Sequence, residues 1–186
     1  MKFIPTTIPG LILVEPDVHG DQRGFFQETW QKKKYAAAGL EADFVQDNLS
    51  FSRQGVLRGL HFQNPNPQGK LVYVLQGEVF DVVVDIRVGS PTFGRWHGVL
   101  LSGENKHQFW IPAGFAHGFC VTSETALFAY KCTDLYRPEH EGIIRWNDPA
   151  IGIDWPLIEP QLSAKDESAP LLAEIVPEKL FRWEQS

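Results

Sequence analysis

The sequence has few cysteines, a deficit of positive charge and no long apolar run. Its two cysteines, Cys120 and Cys132, lack the spacing of metal-ligand pairs, and we interpret them as reduced core residues. No segment approaches the ~20 consecutive apolar residues that a membrane span needs. The N-terminal residues also lack the apolar stretch of a signal peptide. These absences predict a cytoplasmic protein with no membrane partner.

The charge balance is acidic. Lys and Arg number 17 against 23 Asp and Glu, which gives a formal net charge of −6. Nucleic-acid binding needs a basic surface, so the composition predicts no nucleic-acid partner. A small anionic ligand held by a few local Arg and Lys side chains stays possible. The one basic run, at residues 32–34, precedes an alanine-rich stretch and predicts a solvated helix face.

The length of 186 residues and the ordinary apolar content of 43% predict a single globular domain over residues 1–186. A chain of this length buries roughly 70% of its unfolded surface, so it needs no disulfide or metal to fold. From about residue 149 the chain becomes rich in proline, and we expect irregular structure with a short helix there.

Short runs of β-forming residues fill the middle of the chain, separated by Gly, Pro, Asn and Ser. This spacing predicts an all-β domain, a sandwich or a barrel, with a few short helices. The run Val82-Val83-Val84 predicts a strand that is covered on both faces. One helix is expected at residues 30–38, before Gly39. The predicted strands cover residues 71–75, 78–86, 96–102, 108–112, 115–122 and 125–133.

Polar residues interrupt one of the apolar segments, at residues 55–63. Arg58 and His61 are separated by an odd number of residues, so a regular strand would direct them to opposite faces. Gly59 permits a bulge or a close backbone approach that could bring the two side chains together. The alternative is an exposed arginine and a hydrogen-bonded core histidine.

Other polar side chains have both a chemical and a structural interpretation. Pro and Gly residues bracket His117, which could be a ligand or a base but could also bond a backbone carbonyl. Tyr130 and Tyr136 share strand parity if the strand extends that far, although a strand tyrosine more often packs. Ser163 and Asp166 have the spacing of a helix N-cap and its first turn.

The segment Pro112-Ala113-Gly114-Phe115-Ala116-His117 resembles the second motif of the cupins, which are jelly-roll β-barrels. The first cupin motif would supply two histidines and a glutamate to a metal. Around His61 there is no second histidine and no glutamate. Two histidines are too few for the usual metal site with three protein ligands, so we expect no metal and no cofactor.

A longer series of motifs resembles the dTDP-4-dehydrorhamnose 3,5-epimerase family, whose members are metal-free cupins. The resemblance extends from about Ile8 to about Leu172, and Leu135 stands where relatives often have an aromatic residue. The matching stretches are residues 21–26 with Glu28, 46–50, 56–63, 68–72, 90–94, the turn at His117, 130–133 and 162–166.

This resemblance implies an isomerase that inverts C3 and C5 of the 4-keto sugar of a dTDP-sugar, in dTDP-L-rhamnose supply for surface polysaccharide. It implies His61 as the base and Asp166 as the carboxylate that orients it. It implies Lys70 near the C4 oxygen and Tyr130 as the general acid.

The resemblance also implies residues that bind the substrate, and a homodimer in which an N-terminal strand crosses to the partner. Arg23 and Glu28 would then serve the neighbouring subunit's site, and Tyr136 would stack on thymine. The implied binding residues are Arg23, Glu28, Gln46, Asp47, Asn48, Arg58, His117, Tyr136, Glu141 and Lys165, with Lys70 also a candidate for contact with the diphosphate or sugar.

Three alternatives remain open from the sequence. One is a related enzyme that epimerises a single carbon or moves the keto group on the same sugar nucleotide. Another is a non-catalytic cupin that binds a sugar nucleotide or has a structural role. The last is a metal-dependent cupin oxygenase, against which the missing ligands argue.

Overall fold

The computed structural model describes residues 1–183, and most of its regular structure is β-strand. Two short α-helices are present, α1 (Lys32–Ala37) and α2 (Ala164–Glu167), with 3₁₀ turns at Pro138–His140, Leu172–Glu174 and Pro177–Lys179. The strands of this part of the chain are β1 (Lys2–Pro5), β2 (Ile12–Glu15), β3 (Val18–Asp21), β4 (Gly24–Gln27), β5 (Gln46–Arg53), β6 (Leu57–Gln63), β7 (Lys70–Gln76), β8 (Glu78–Asp85), β9 (Arg87–Val88), β10 (Trp96–Ser102), β11 (Gln108–Ile111), β12 (Phe115–Val121), β13 (Thr125–Cys132), β14 (Glu141–Ile143) and β15 (Phe181–Arg182).

Two antiparallel sheets form the body of the protein. One has the strand order β1-β2-β11-β7-β13-β5 and the other the order β10-β8-β12-β6-β14. Their facing sides enclose an apolar core that includes Val72, Phe109 and Phe128 from one sheet and Val83 and Phe119 from the other. Alternate residues of each strand point inward, as in packed β-sandwiches. The all-β, jelly-roll prediction is confirmed.

Strand β8 of the second sheet is buried on both faces, as the valine run predicted. Val83 belongs to the core between the sheets, whereas Val82 and Val84 pack with Ile151 and Leu172 of the C-terminal segment. The proline-rich segment is irregular apart from α2, the 3₁₀ turns and β15, and it covers the outer face of this sheet. The C-terminal segment therefore supplies the second apolar layer that strand β8 requires.

The predicted N-terminal helix is present but is shorter than expected. It begins after Gln31, whose side chain accepts a hydrogen bond from the Lys34 backbone N–H, and its basic run is exposed as predicted. Tyr35 on its other side is fully buried and donates a hydrogen bond to Gln108 Oε1 at 2.5 Å. This contact fixes the helix on the outer face of the first sheet.

Strand β13 ends at Cys132, so the shared strand parity considered for Tyr130 and Tyr136 does not hold.

The N-terminal strands and β5 were not among the predicted runs. Strands β1 to β4 have only four residues each, and most side chains of β1, β3 and β4 are exposed. Short, exposed strands lack the apolar alternation on which the prediction depends.

No helix in residues 1–183 is long and apolar enough to cross a membrane. Cys120 and Cys132 are both buried free thiols.

A buried ion pair holds the end of β8. Both carboxylate oxygens of Asp85 accept hydrogen bonds from Arg87, at 2.8 and 2.7 Å, and Oδ2 also accepts from the Ser90 and Thr92 hydroxyls. The Arg87 guanidinium lies between the rings of Phe115 and Trp183, 4.2 and 4.3 Å from their centroids. The cluster thus connects the C-terminal end of the chain to the barrel.

We expect Asp85→Asn to reduce the free energy of unfolding by about 3–5 kcal/mol at neutral pH, because Arg87 loses a buried partner. Burial would raise the pKa of Asp85, but Arg87 and the two hydroxyls hold it below its usual value. The stabilisation is therefore present above an unfolded pKa of about 3.9 and is lost as the pH falls through the lower folded value. Denaturant unfolding at pH 7 and pH 3 measures both effects, and equal losses at the two pH values would contradict the assignment.

Candidate active site

A bulge in β6 brings Arg58 and His61 to the same side of the sheet. His117 of β12 pairs with His61, and Phe119 of β12 pairs with Arg58. A separation of three residues on β6 therefore lies opposite a separation of two on β12, which is a β-bulge. Gly59 has φ +116°, and a Cβ there would lie 2.6 Å from the His117 carbonyl oxygen. Only glycine fits this close approach. The bulge proposed from the sequence is confirmed, and both side chains line the same cavity.

His61 is held by a buried carboxylate. Its Nε2 lies 2.7 Å from Asp166 Oδ1, and Asp166 Oδ2 accepts a hydrogen bond from the Ser163 hydroxyl at 2.7 Å. Ser163 is the N-cap of α2, as the sequence predicted, and its oxygen also accepts from the Asp166 N–H. Burial would raise the pKa of Asp166, but the hydrogen bonds from His61 and Ser163 hold it below its usual value. The pair therefore leaves Nδ1 of His61 for chemistry.

The cavity between the sheets has a volume of about 470 Å³ and joins a second one of about 240 Å³, since His61, Lys70 and Tyr130 line both. Chemically active side chains from β6, β7, β12, β13 and α2 thus meet in one space. Those lining the larger part are Arg58, His61, Lys70, His117, Tyr130, Lys165 and Asp166.

Lys70 and Tyr130 face each other in the cavity, with the Lys70 Nζ 6.0 Å from the centre of the Tyr130 ring. Burial lowers the pKa of Lys70, although Cys132, Asp81 and Glu141 oppose the shift. Burial likewise raises the pKa of Tyr130, so its hydroxyl keeps its proton at neutral pH. The site thus holds a proton-bearing hydroxyl and an amine beside a histidine–carboxylate pair.

Polar side chains line the smaller part of the cavity, namely Gln46, Asn48, Tyr136 and Glu141. The Gln46 side chain accepts a hydrogen bond from the Tyr136 N–H at 2.8 Å and so fixes the backbone at Tyr136. Glu141 accepts a hydrogen bond at 2.5 Å from Lys165, which lines the larger part of the cavity.

Three of the predicted site residues lie outside these cavities. Arg23, on the turn between β3 and β4, is highly exposed and pairs with Asp21. Glu28 pairs with Lys34 at 2.8 Å. Asp47 alternates with its neighbours along β5, so its exposed side chain points away from the cavity and pairs with Lys131 at 2.8 Å. Substrate contacts by these three residues stay predictions.

Sequence reasoning missed Asp81. It lies on β8 with the same parity as Val79 and Val83, so it points between the sheets. Its Oδ2 is 2.8 Å from Nε2 of His117. Burial raises the pKa of Asp81, and His117 and Lys70 oppose that shift. An acidic residue at a core position of an otherwise apolar strand was the signal that could have identified it.

Within the part of the chain that the structure describes, no cluster of three or more His, Cys, Asp or Glu side chains is arranged to hold a metal ion. The histidines of the cavity pair instead with separate carboxylates, Asp166 and Asp81.

Comparison with known proteins gives consistent results. The family model described as dTDP-4-dehydrorhamnose 3,5-epimerase matches residues 5–174. A Salmonella typhimurium protein named dTDP-4-dehydrorhamnose 3,5-epimerase is 58% identical over 175 residues, which cover 92% of this chain and 96% of the relative.

Solved structures agree. A dTDP-6-deoxy-D-glucose-3,5-epimerase from Legionella pneumophila Philadelphia 1, in complex with dTDP-4-keto-L-rhamnose, is 59% identical with a TM-score of 0.97 and 99% coverage of each chain. A 3′-monoepimerase from Streptomyces bikiniensis, in complex with dTDP-quinovose, is 38% identical with a TM-score of 0.86, covering 91% of this chain and 87% of its own. The chain belongs to the dTDP-4-dehydrorhamnose 3,5-epimerase family.

Proposed function

We propose that this protein inverts C3 and C5 of dTDP-4-dehydro-6-deoxy-D-glucose to give dTDP-4-dehydro-L-rhamnose. One observation carries the proposal: a carboxylate-held histidine and a partly buried tyrosine line the same cavity. Family membership supports the same activity and a place in dTDP-L-rhamnose biosynthesis.

His61 is the base in this mechanism. C3 and C5 are both α to the C4 ketone, and in the gluco configuration their hydrogens are axial on the same face of the ring. One base can therefore reach both. Asp166 holds Nε2 of His61, which fixes the tautomer with a free Nδ1 and stabilises the imidazolium that forms.

Lys70 and Tyr130 complete the proton transfer. Removal of a proton next to the ketone places negative charge on the C4 oxygen, which Lys70 stabilises by donating a hydrogen bond to it. Tyr130 then donates its proton to the carbon from the opposite face, and the configuration inverts. His61 releases the proton it took to solvent and Tyr130 regains one from solvent before the second carbon reacts. Its raised pKa keeps this proton on the hydroxyl until the enolate forms.

The nucleotide end of the substrate is assigned to the cationic and polar side chains around the cavity. Arg58 and Lys165 line it, and an arginine can hold phosphate oxygens bidentately. The Tyr136 ring is half-exposed at the smaller cavity, where a pyrimidine could stack on it. Such local cations explain how an acidic protein binds a diphosphate.

We propose a homodimer in which the edge strand β5 contributes to the interface. Leu49 and Phe51 are each 61% exposed on this strand, and Phe25 and Phe26 are exposed on the hairpin β3–β4. An exposed apolar edge strand is prone to pair with another chain. A second copy would cover these side chains, and Arg23 of one protomer would then lie near the active site of the other.

Phe51→Glu is expected to shift the protein from dimer to monomer, since it places a charge in the proposed apolar interface. Sedimentation velocity measures the change in mass. Leu100→Glu is the matched control, because Leu100 is 51% exposed on β10 in the other sheet. A monomeric wild-type protein would contradict the dimer.

The buried, unpaired state of both cysteines supports a reducing, cytoplasmic location, which stays a proposal.

The activity is tested by incubating the protein with dTDP-4-dehydro-6-deoxyglucose in D₂O and following the sugar protons by NMR. Deuterium at both C3 and C5, with the L-lyxo product trapped by a downstream reductase, is the expected result. Exchange at C3 alone would indicate a mono-epimerase, an activity that the Streptomyces relative makes the leading alternative. Tight binding without exchange would contradict catalysis altogether.

A further inference from the structure

The cavity contains a second histidine–carboxylate pair that the mechanism above does not use. His61 and His117 are cross-strand partners on β6 and β12, and both line the cavity. Each bonds a buried carboxylate through Nε2: Asp166 at 2.7 Å and Asp81 at 2.8 Å. Since one base reaches both reacting carbons, the second pair needs another role.

The environment of Asp81 argues against a purely structural role. Asp81 is fully buried, and its Oδ1 has no hydrogen-bond partner in residues 1–183. Leaving a carboxylate oxygen unpaired in the core costs stability, and an apolar residue of similar size would avoid that cost. The one hydrogen bond that the Asp81 side chain makes in this part of the chain is to His117.

The ring of His117 presents its other nitrogen to the cavity. The ring is stacked against Phe128 with centroids 6.2 Å apart, which fixes its plane. The buried polar atoms without a partner in the described chain are Ser50 Oγ, Asp81 Oδ1 and His140 Nδ1. Nδ1 of His117 makes no hydrogen bond in the described chain, yet it is not among these buried atoms. It is therefore open to the cavity that the ring lines.

We propose that Asp81 is a positioning residue: it fixes His117 as the Nε2–H tautomer, so that the bare Nδ1 accepts a hydrogen bond from a sugar hydroxyl. A carboxylate that accepts from one ring nitrogen places the lone pair on the other. The hydroxyl contact holds the sugar ring against His61 while the protons are exchanged. This inference rests on the proposed function, because it assigns the sugar to this cavity.

Several ionisable groups share the cavity with His117, so the tautomer must be measured directly. They are Asp81 from β8, Arg58 and His61 from β6, Lys70 from β7, Tyr130 from β13, and Lys165 and Asp166 from α2.

The direct test is the tautomer of His117 in the ¹⁵N NMR spectrum of the whole protein labelled in its histidine rings, recorded at pH 8. The His117 signals are identified by their loss in His117→Gln. We expect the proton on Nε2 in the wild-type protein and a mixture of tautomers in Asp81→Asn, with the His61 signals unchanged. A proton on Nδ1 in the wild-type protein would overturn the proposal even if the Asp81 variant failed to fold.

The kinetic test separates binding from chemistry. Loss of a hydroxyl contact present in both ground and transition states should raise KM for the dTDP-sugar about three- to tenfold in Asp81→Asn, with kcat changed less than about threefold. Asp166→Asn should instead lower kcat. In the background of His117→Gln, Asp81→Asn should have no further effect on KM.

Asp148→Asn is the matched control, because Asp148 is only 2% exposed and its side chain accepts hydrogen bonds from backbone N–H groups away from the cavity. Its KM should equal that of the wild-type protein. Additive effects of the Asp81 and His117 substitutions on KM would overturn the proposal.

If the wild-type protein has no epimerase activity, the proposed function fails. The tautomer of His117 and the calorimetric affinity for a dTDP-sugar still test the role of Asp81 in that case.

Discussion

Replacing His61 with alanine is expected to reduce kcat by at least about 10²–10⁴-fold, the contribution usual for a positioned general base. His61 is the one cavity histidine whose carboxylate partner is itself held by a side-chain hydroxyl, that of Ser163, within residues 1–183. Without the imidazole no group in the proposed mechanism removes the C3 and C5 hydrogens. The reductase-coupled assay measures the loss of product, and NMR in D₂O should show the loss of exchange at both carbons.

The control for this variant is His107→Ala, since His107 is absent from the residues lining the cavity. It should retain wild-type turnover. Thermal unfolding and calorimetric titration with dTDP would show that His61→Ala still folds and binds the nucleotide. Wild-type turnover by His61→Ala would rule out His61 as the base.

The central strands could be predicted because their sequence carries the signal of burial. Strand β8 was predicted at residues 78–86 and is found at Glu78–Asp85, and strand β10 was predicted with the observed bounds. Apolar side chains on both faces of β8 are explained by two separate clusters, one between the sheets and one under the C-terminal segment. In contrast, β5 has exposed apolar side chains at Leu49 and Phe51, which match no core of the single chain.

The site was predictable to the extent that its geometry follows from local backbone rules. The close approach at Gly59 and the N-cap at Ser163 were both expected from residue type, and together they bring Arg58, His61 and Asp166 into one cavity. The contact between Asp81 and His117 depends on a diagonal relation between two strands, which strand parity alone does not specify. Long-range pairing of this kind is visible only once the sheet register is known.

Tyr130→Phe should separate proton removal from inversion. His61 and its carboxylate are intact in this variant, so the C3 and C5 hydrogens can still be removed. The acid on the opposite face is lost, and we expect product formation to fall by about 10²–10⁴-fold. The phenyl ring keeps the packing against Phe128, whose centroid is 5.9 Å away, so folding should be preserved.

In D₂O the same variant has a distinctive isotopic signature. His61, once deuterated by exchange with solvent, can return a deuteron to the face from which it took the proton. Recovered substrate should therefore gain deuterium at C3 and C5 while keeping the gluco configuration. The control is Tyr73→Phe, because Tyr73 is absent from the residues lining the cavity, and this variant should invert both carbons. If both exchange and inversion were lost, Tyr130 would have to act in proton removal. Exchange without inversion would instead show that His61 acts on one face of the sugar and Tyr130 on the other. Substitution of His61 alone cannot show this, because it abolishes exchange and inversion together.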